Sequence, residues 1–92
     1  MTGQPNRRED LKGQFRKYLS DNFELPAGEE GLRDDASLLE EGVLDSTGVL
    51  NVVMFIEETF GIEVEDEELV PENLDSIDKL VAFVERKTGR GT

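Results

Sequence analysis

The chain has 92 residues, enough for one small domain with a single hydrophobic core. It contains neither cysteine nor histidine, which excludes disulfides and thiolate metal sites and removes the commonest general base. We therefore expect no catalytic residues, because no nucleophile can be paired with such a base. No apolar run could span a membrane or act as a secretory signal, and we expect a cytoplasmic protein.

Acidic residues outnumber basic ones by 22 to 10, for a net charge of −12. Most of the acidic residues lie between Asp34 and Asp78, a segment without lysine or arginine. Such a field repels nucleic-acid phosphates and attracts basic protein surfaces. The acidic run 63–68 lacks the residue pattern of a calcium-binding loop, and we assign no metal site to it.

Residues 1–6 hold a glycine and a proline and are predicted to be a flexible leader. A first helix is predicted over 7–21, because apolar residues recur there at helical spacing. These residues are Leu11, Phe15, Tyr18 and Leu19. Gly13 weakens this helix by roughly 1 kcal/mol relative to alanine, so we expect tertiary packing to hold it in place.

The segment 22–44 shows no sustained periodicity and is rich in glycine. A connection of this length is unusual inside a compact domain unless it is anchored. Five apolar residues are predicted to fold back onto the core: Leu32, Leu38, Leu39, Val43 and Leu44.

Residues 46–60 carry the strongest helical pattern in the chain. The face predicted to be buried holds Val49, Val52, Val53, Ile56 and Phe60. A second stripe, rotated from the first, mixes apolar and acidic residues: Ser46, Leu50, Met54, Glu57 and Glu58, with Thr47 and Asn51 alongside. Asp45 or Ser46 is placed to cap the helix, and Gly61 is predicted to end it in the left-handed conformation.

The remaining chain predicts one short turn and one further helix. Residues 66–70 are predicted to form a helical turn that Pro71 closes. The last helix follows Asp75, its predicted N-cap, and ends at Gly89. Its core positions are Ile77, Leu80, Val81 and Val84. We therefore predict an all-α domain over 7–88, with three to four helices and a long loop between the first two, and a flexible tail over 89–92.

The order of these features resembles the acyl carrier protein family over roughly Leu11 to Lys87. The residues that carry the resemblance are Asp45-Ser46, the helical run 49–58 and Phe60-Gly61-Ile62. The resemblance implies the small helical bundle of that family. It also implies that Ser46 receives 4′-phosphopantetheine from coenzyme A, with Asp45 as its motif partner. The thiol of that arm would carry acyl or aminoacyl intermediates as thioesters, for fatty-acid, polyketide or specialised biosynthesis.

The physical chemistry of the segment suits this assignment. A helix N-terminus favours a phosphodiester, and the small Gly48 is expected to leave room beside it. The cofactor would supply the thiol that the chain lacks, which explains how a protein without cysteine could take part in acyl chemistry.

The second stripe is predicted to be the partner-binding face, through Thr47, Leu50, Asn51, Met54, Glu57 and Glu58. By the resemblance, its partners are a phosphopantetheinyl transferase, an acyl- or aminoacyl-loading ligase, and synthases and transferases with basic docking patches. We expect a monomeric, stand-alone carrier. Two alternatives stay open: Leu50 and Met54 could be buried, or the chain could be an unmodified acidic adaptor that binds a basic partner through the Leu50/Met54 face.

Overall fold

The computed structural model describes residues 7–25 and 32–89, apart from the side chain of Arg7. Within these residues it contains four α-helices, named here in chain order: α1 Arg7–Asn22, α2 Ser46–Phe60, α3 Pro71–Leu74 and α4 Ile77–Thr88. A short 3₁₀ helix, Asp66–Glu68, precedes α3. The described residues form no β-strand, so the prediction of an all-α bundle is confirmed.

The helix boundaries follow the sequence signals closely. Helix α1 extends one residue past its predicted end, and α2 has the predicted bounds. Gly61 and Gly89 end α2 and α4 with positive φ angles of 68° and 75°, as predicted for left-handed caps. The predicted leader, 1–6, and residues 90–92 of the predicted tail lie outside the described residues.

Helix α4 is the centre of the hydrophobic core and packs against the other three helices. Its buried residues are Ile77, Leu80, Val81, Phe83 and Val84. Helices α1 and α2 bury most of the faces that their periodicity predicted, while Tyr18, Val49 and Phe60 are only partly buried against the core. The buried apolar residues on these two helices are Leu11, Phe15, Leu19, Val52, Val53 and Ile56. The core thus forms where the apolar stripes of the helices meet.

Aromatic side chains join α1 to α2. The ring of Phe55 stacks on that of Tyr18, with 4.2 Å between centroids, and meets the edge of Phe15 at 5.7 Å. Such pairs contribute about 0.5–1.5 kcal/mol each beyond the area they bury. Burial also raises the pKa of the Tyr18 hydroxyl above its ordinary value.

The loop before α2 is anchored by four of the five predicted residues. Leu32, Leu38, Val43 and Leu44 are buried, whereas Leu39 is 41% exposed, so that part of the prediction is wrong. Of the two consecutive leucines, Leu38 takes the core position.

Asp34 ties this loop to both α1 and α4. Its carboxylate lies 3.1 Å from Lys12 Nζ and 2.5 Å from Arg16 Nη2, and its carbonyl accepts a hydrogen bond from the Asp78 N–H at 2.9 Å. Burial raises the pKa of the Asp34 carboxyl, but the hydrogen bonds from Lys12 and Arg16 outweigh burial. The net pKa therefore lies below its usual range.

Two predictions about the chain between α2 and α4 are wrong. Pro71 opens α3 instead of closing a turn, because a proline at the first helical position lacks only an N–H that has no partner there. Asp75 does not cap α4. Ser76 is the cap, and its Oγ accepts a hydrogen bond from the Lys79 N–H at 3.0 Å. Asp75 is instead turned toward the loop 32–44.

Candidate attachment site

Ser46 is the first residue of α2 and is exposed. Asp45 precedes it in extended conformation and is the N-cap, with its Oδ1 accepting a hydrogen bond from the Gly48 N–H at 2.8 Å. This settles which of the two candidate residues caps the helix. Since Asp45 takes that role, the Ser46 hydroxyl is not consumed by capping and makes no hydrogen bond to a described residue.

The residues just before Ser46 are fixed to the core by burial and by hydrogen bonds. Val43 and Leu44 are buried, and their N–H groups both donate to the Leu38 carbonyl, at 2.9 and 3.1 Å. Gly42 has a φ of 78°, a conformation that residues with a side chain rarely adopt. The start of α2 is therefore fixed relative to the core, and the serine is presented from a rigid support.

Gly48 does not leave room for an attached group, contrary to the expectation from the sequence. It is buried, and a Cβ atom placed there would lie 3.0 Å from Phe23 Cε1, 3.2 Å from Leu44 Cδ2 and 3.3 Å from Asp45 Oδ1. The missing side chain lets Phe23 and Leu44 pack close to the first turn of α2. The glycine thus serves the packing beneath the serine.

An apolar cleft of about 390 Å³ opens beside Ser46. Its walls come from the loop, from α2 and from the segment around α3. The described lining residues are Leu39, Leu44, Ser46, Val49, Leu50, Leu69, Val70, Pro71, Leu74 and Asp75. This volume lies within the range of about 300–1,000 Å³ that small-molecule sites occupy. No sequence pattern pointed to the cleft, because three segments far apart in the chain form it.

The outer face of α2 is exposed along the predicted stripe. Its exposed members are Thr47, Leu50, Asn51, Met54 and Glu58. Leu50 and Met54 are 54% and 56% exposed, so the alternative that the loop buries them is wrong.

Glu57 differs from the rest of this stripe. It is half-buried, and its Oε2 accepts a hydrogen bond from the Val64 N–H at 2.9 Å. Glu57 therefore holds the chain that follows α2, and helical periodicity cannot predict this contact because Val64 lies beyond the end of the helix.

The electrostatics around Ser46 change sign over a short distance. The N-terminus of α2 carries a partial positive charge from the aligned peptide dipoles. Beyond the first turn the surface is acidic, because the segment 34–78 contains no lysine or arginine. Lys12 and Arg16 of α1 are both engaged with Asp34. The site thus favours an anion at Ser46 itself and favours binding of a partner's basic surface along the rest of α2.

The acidic run 63–68 has a structural part. The Glu68 carboxylate accepts a hydrogen bond from the Glu65 N–H and pairs with Lys87 Nζ, each at 2.9 Å. The bond from Glu65, followed by the bond from Lys87, lowers the pKa of Glu68. Among residues 7–25 and 32–89, no three acidic side chains converge where they could hold a metal ion. No helix in this part of the chain could cross a membrane.

The fold and the site together define a small helical domain that presents a serine on a rigid turn at the start of an acidic helix. The family described as "Phosphopantetheine attachment site" matches residues 14–84. The chain belongs to this family, that of the acyl carrier proteins, and its cofactor is 4′-phosphopantetheine.

Acyl carrier proteins from several bacteria resemble the chain over most of its length. The one from Thermotoga maritima is 27% identical over 82 residues, covering 89% of this chain and 96% of the relative. The one from Buchnera aphidicola is 26% identical over 78 residues, covering 85% and 92%. The one from Campylobacter hominis is 36% identical over 62 residues, covering 67% and 76%. These similarities support a carrier role rather than an enzymatic one.

Proposed function

We propose that Ser46 is the attachment residue of this carrier, with Asp45 as its motif partner. The Ser46 Oγ forms a phosphodiester with the phosphopantetheine portion of coenzyme A as the diphosphate bond of coenzyme A breaks; adenosine 3′,5′-bisphosphate leaves, and the hydroxyl proton is lost. The thiol of the attached arm then carries an acyl or aminoacyl group as a thioester. The carrier serves fatty-acid, polyketide or specialised biosynthesis in the cytoplasm.

The observation that carries this proposal is the free, exposed hydroxyl at the first residue of α2. Asp45 caps the helix and leaves the Ser46 hydroxyl available. The helix N-terminus favours the negative charge of the phosphodiester. The neighbouring hydroxyl of Thr47 is also exposed, but it lies one residue further into the helix and does not line the cleft.

The apolar cleft beside Ser46 gives the cargo a place to lie. Ser46 is itself among the residues that line the cleft, so an attached arm starts at its edge. An apolar acyl chain that enters the cleft leaves water and gains free energy of about 25 cal/mol per Å² of buried apolar surface. We therefore propose that this cleft shelters the acyl group between reactions.

The exposed stripe of α2 supports docking of the enzymes that load and use the arm. Leu50 and Met54 offer apolar contact area next to the attachment residue. Glu58 and its acidic surroundings attract basic surfaces and raise the rate of association. A phosphopantetheinyl transferase, a loading ligase, and synthases or transferases with basic patches fit this surface. We propose that the carrier binds these enzymes as a monomer.

The second candidate function is an unmodified acidic adaptor that binds a basic partner through the same Leu50/Met54 face. The exposure of both side chains favours such binding whether or not the serine is modified.

Intact mass separates the two functions. The protein is incubated with a promiscuous phosphopantetheinyl transferase, coenzyme A and Mg²⁺, and we expect the mass of one phosphopantetheine to be gained. Ser46→Ala should abolish the gain, whereas Thr47→Ala, the matched control at the adjacent exposed hydroxyl, should keep it. A gain that survives Ser46→Ala would refute the assignment of the residue. No gain with any transferase would favour the adaptor.

A further inference from the structure

The wall of the cleft opposite α2 is formed by the loop before α2 and by the segment around α3, and the Asp75 carboxylate links these two segments. Asp75 lies between α3 and α4 and lines the cleft, as does Leu39 of the loop. The Asp75 Oδ1 accepts a hydrogen bond from the Leu39 N–H at 2.8 Å. Its Oδ2 accepts one from the Ser37 Oγ at 2.5 Å. Both oxygens of this single side chain therefore hold the loop.

The backbone of the same residue strengthens this junction. The Asp75 carbonyl accepts a hydrogen bond from the Leu38 N–H at 2.9 Å, and the buried Leu38 side chain anchors the loop in the core. Leu39 follows directly and is 41% exposed, so its side chain has little packing of its own to hold it. Two hydrogen bonds therefore fix the Leu39 backbone at the cleft: the one to the Asp75 carboxylate and one of 3.2 Å from the Gly42 N–H to the Leu39 carbonyl.

Asp75 is also the only ionisable residue among the described residues that line the cleft. None of the ion pairs between described residues includes it. Its negative charge is therefore balanced by two hydrogen-bond donors and by no cation. A second negative charge brought into this apolar cleft would be repelled, because the low local dielectric screens the two charges poorly.

We propose that Asp75 is a positioning and selectivity residue for the cargo. Its carboxylate fixes Leu39 as one wall of the cleft, and its charge strengthens the preference of the cleft for uncharged acyl chains over chains that end in a carboxylate. This inference rests on the proposed function, because it assumes that Ser46 carries the acyl arm.

Two substitutions separate the shape of the wall from its charge. Asp75→Asn keeps an acceptor for the Leu39 N–H, and its amide can donate to the Ser37 oxygen, so it removes the charge and retains the junction. Asp75→Ala removes both. Glu72→Ala is the matched control, because Glu72 is an exposed carboxylate of α3 that makes no hydrogen bond or ion pair to a described residue.

The junction is tested first on the unmodified protein by amide hydrogen exchange. Asp75→Ala should speed exchange of the Leu39 amide by about tenfold, because that amide loses a charged acceptor, while the amides of α4 stay protected. Asp75→Asn and Glu72→Ala should leave the Leu39 amide close to wild type. Unchanged exchange in Asp75→Ala would overturn the positioning role.

The selectivity is tested on protein whose loading has been verified by intact mass. The arm is loaded with two acyl chains of equal length, one ending in a methyl group and one in a carboxylate. Occupancy of the cleft is then read from the methyl NMR shifts of Leu44, Val49 and Leu74. In the wild type, we expect the carboxylate-ended chain to occupy the cleft about tenfold less than the methyl-ended chain. Asp75→Asn should narrow this difference without removing it, because burying a carboxylate in an apolar cleft is unfavourable even without a neighbouring charge. Asp75→Ala should hold neither chain as well as the wild type holds the methyl-ended chain, and Glu72→Ala should behave as wild type.

The failures of the two proposals are distinguishable. If no variant gains phosphopantetheine at Ser46, the proposed function fails and this inference fails with it. If loading succeeds but the wild type holds both chains equally, or Asp75→Asn rejects the carboxylate-ended chain as strongly as the wild type does, only the role of Asp75 is refuted.

Discussion

A methyl group added at Gly48 tests how tightly the first turn of α2 is packed. In Gly48→Ala the new Cβ would meet Phe23, Leu44 and Asp45 at 3.0–3.3 Å, closer than ordinary van der Waals contact. The Leu44 side chain is buried, and the Asp45 carboxylate is held by its hydrogen bond to the Gly48 N–H, so neither can move away freely. Gly13 in α1 offers the matched control, because a Cβ there meets nothing within 4 Å.

The two substitutions are the same chemical change, so their difference isolates the packing. Replacing glycine by alanine within a helix stabilises it by about 1 kcal/mol. Overpacking at Gly48 costs about 1–3 kcal/mol. We therefore expect Gly13→Ala to stabilise the fold by about 1 kcal/mol and Gly48→Ala to be about 1–3 kcal/mol less stable than Gly13→Ala.

Urea and thermal unfolding measure this difference directly. Each kcal/mol corresponds to about 4–8 °C in Tm for a domain of this size. If the Gly48→Ala protein proved as stable as the Gly13→Ala protein, the close packing beneath Ser46 would be refuted. The expected mass gain at Ser46 should persist in both variants, since neither substitution removes the hydroxyl.

Glu58→Lys should change the free energy of unfolding by less than about 0.5 kcal/mol and yet slow phosphopantetheine transfer, because Glu58 is exposed and bonded to no described residue. Glu57→Lys should also destabilise the fold by about 1 kcal/mol, because the Val64 N–H loses its acceptor; equal stability of the two variants would contradict these roles. Asp34→Asn should lower the free energy of unfolding by its full amount at pH 7 and by less as the pH falls below 3.8, because the lowered pKa of Asp34 stabilises the fold only while the carboxyl is ionised. If urea titrations at pH 7 and pH 3 showed the same difference between wild type and variant, this role of Asp34 would be excluded. Low ionic strength should lower the Tm and a few millimolar Mg²⁺ should restore it, because like charges crowd α2 and the acidic run after it; a Tm that ignores both would show that this repulsion is negligible.

The helices could be predicted from local patterns because their signals lie within a few residues of each other. Apolar residues three and four positions apart predicted the buried face of α2, and Gly61 predicted its end. The same helical arithmetic placed Leu50 and Met54 on the opposite face, where they are exposed. Ser46 was found in this way too, since a short polar pair before a periodic run indicates a helix start.

Most of the errors concern contacts that reach beyond the element in which the residue lies. Aspartate often caps helices, but the Asp75 carboxylate accepts hydrogen bonds from the loop, and Ser76 caps α4 instead. Glu57 has the spacing of an exposed residue but accepts a hydrogen bond from Val64, which comes back toward α2 after Gly61. The missing side chain of Gly48 makes room for Phe23 and Leu44, not for an attached group.

The sequence by itself determined the three longer helices, most of their buried faces, the acidic surface and the serine at the start of α2. These depend on the 3.6-residue repeat and on capping, which act over a single turn. The tertiary structure alone decided that a cleft opens beside Ser46 and that Asp75 forms part of the cleft wall. Those features depend on how the long loop crosses the helices, and no local pattern records the path of a loop.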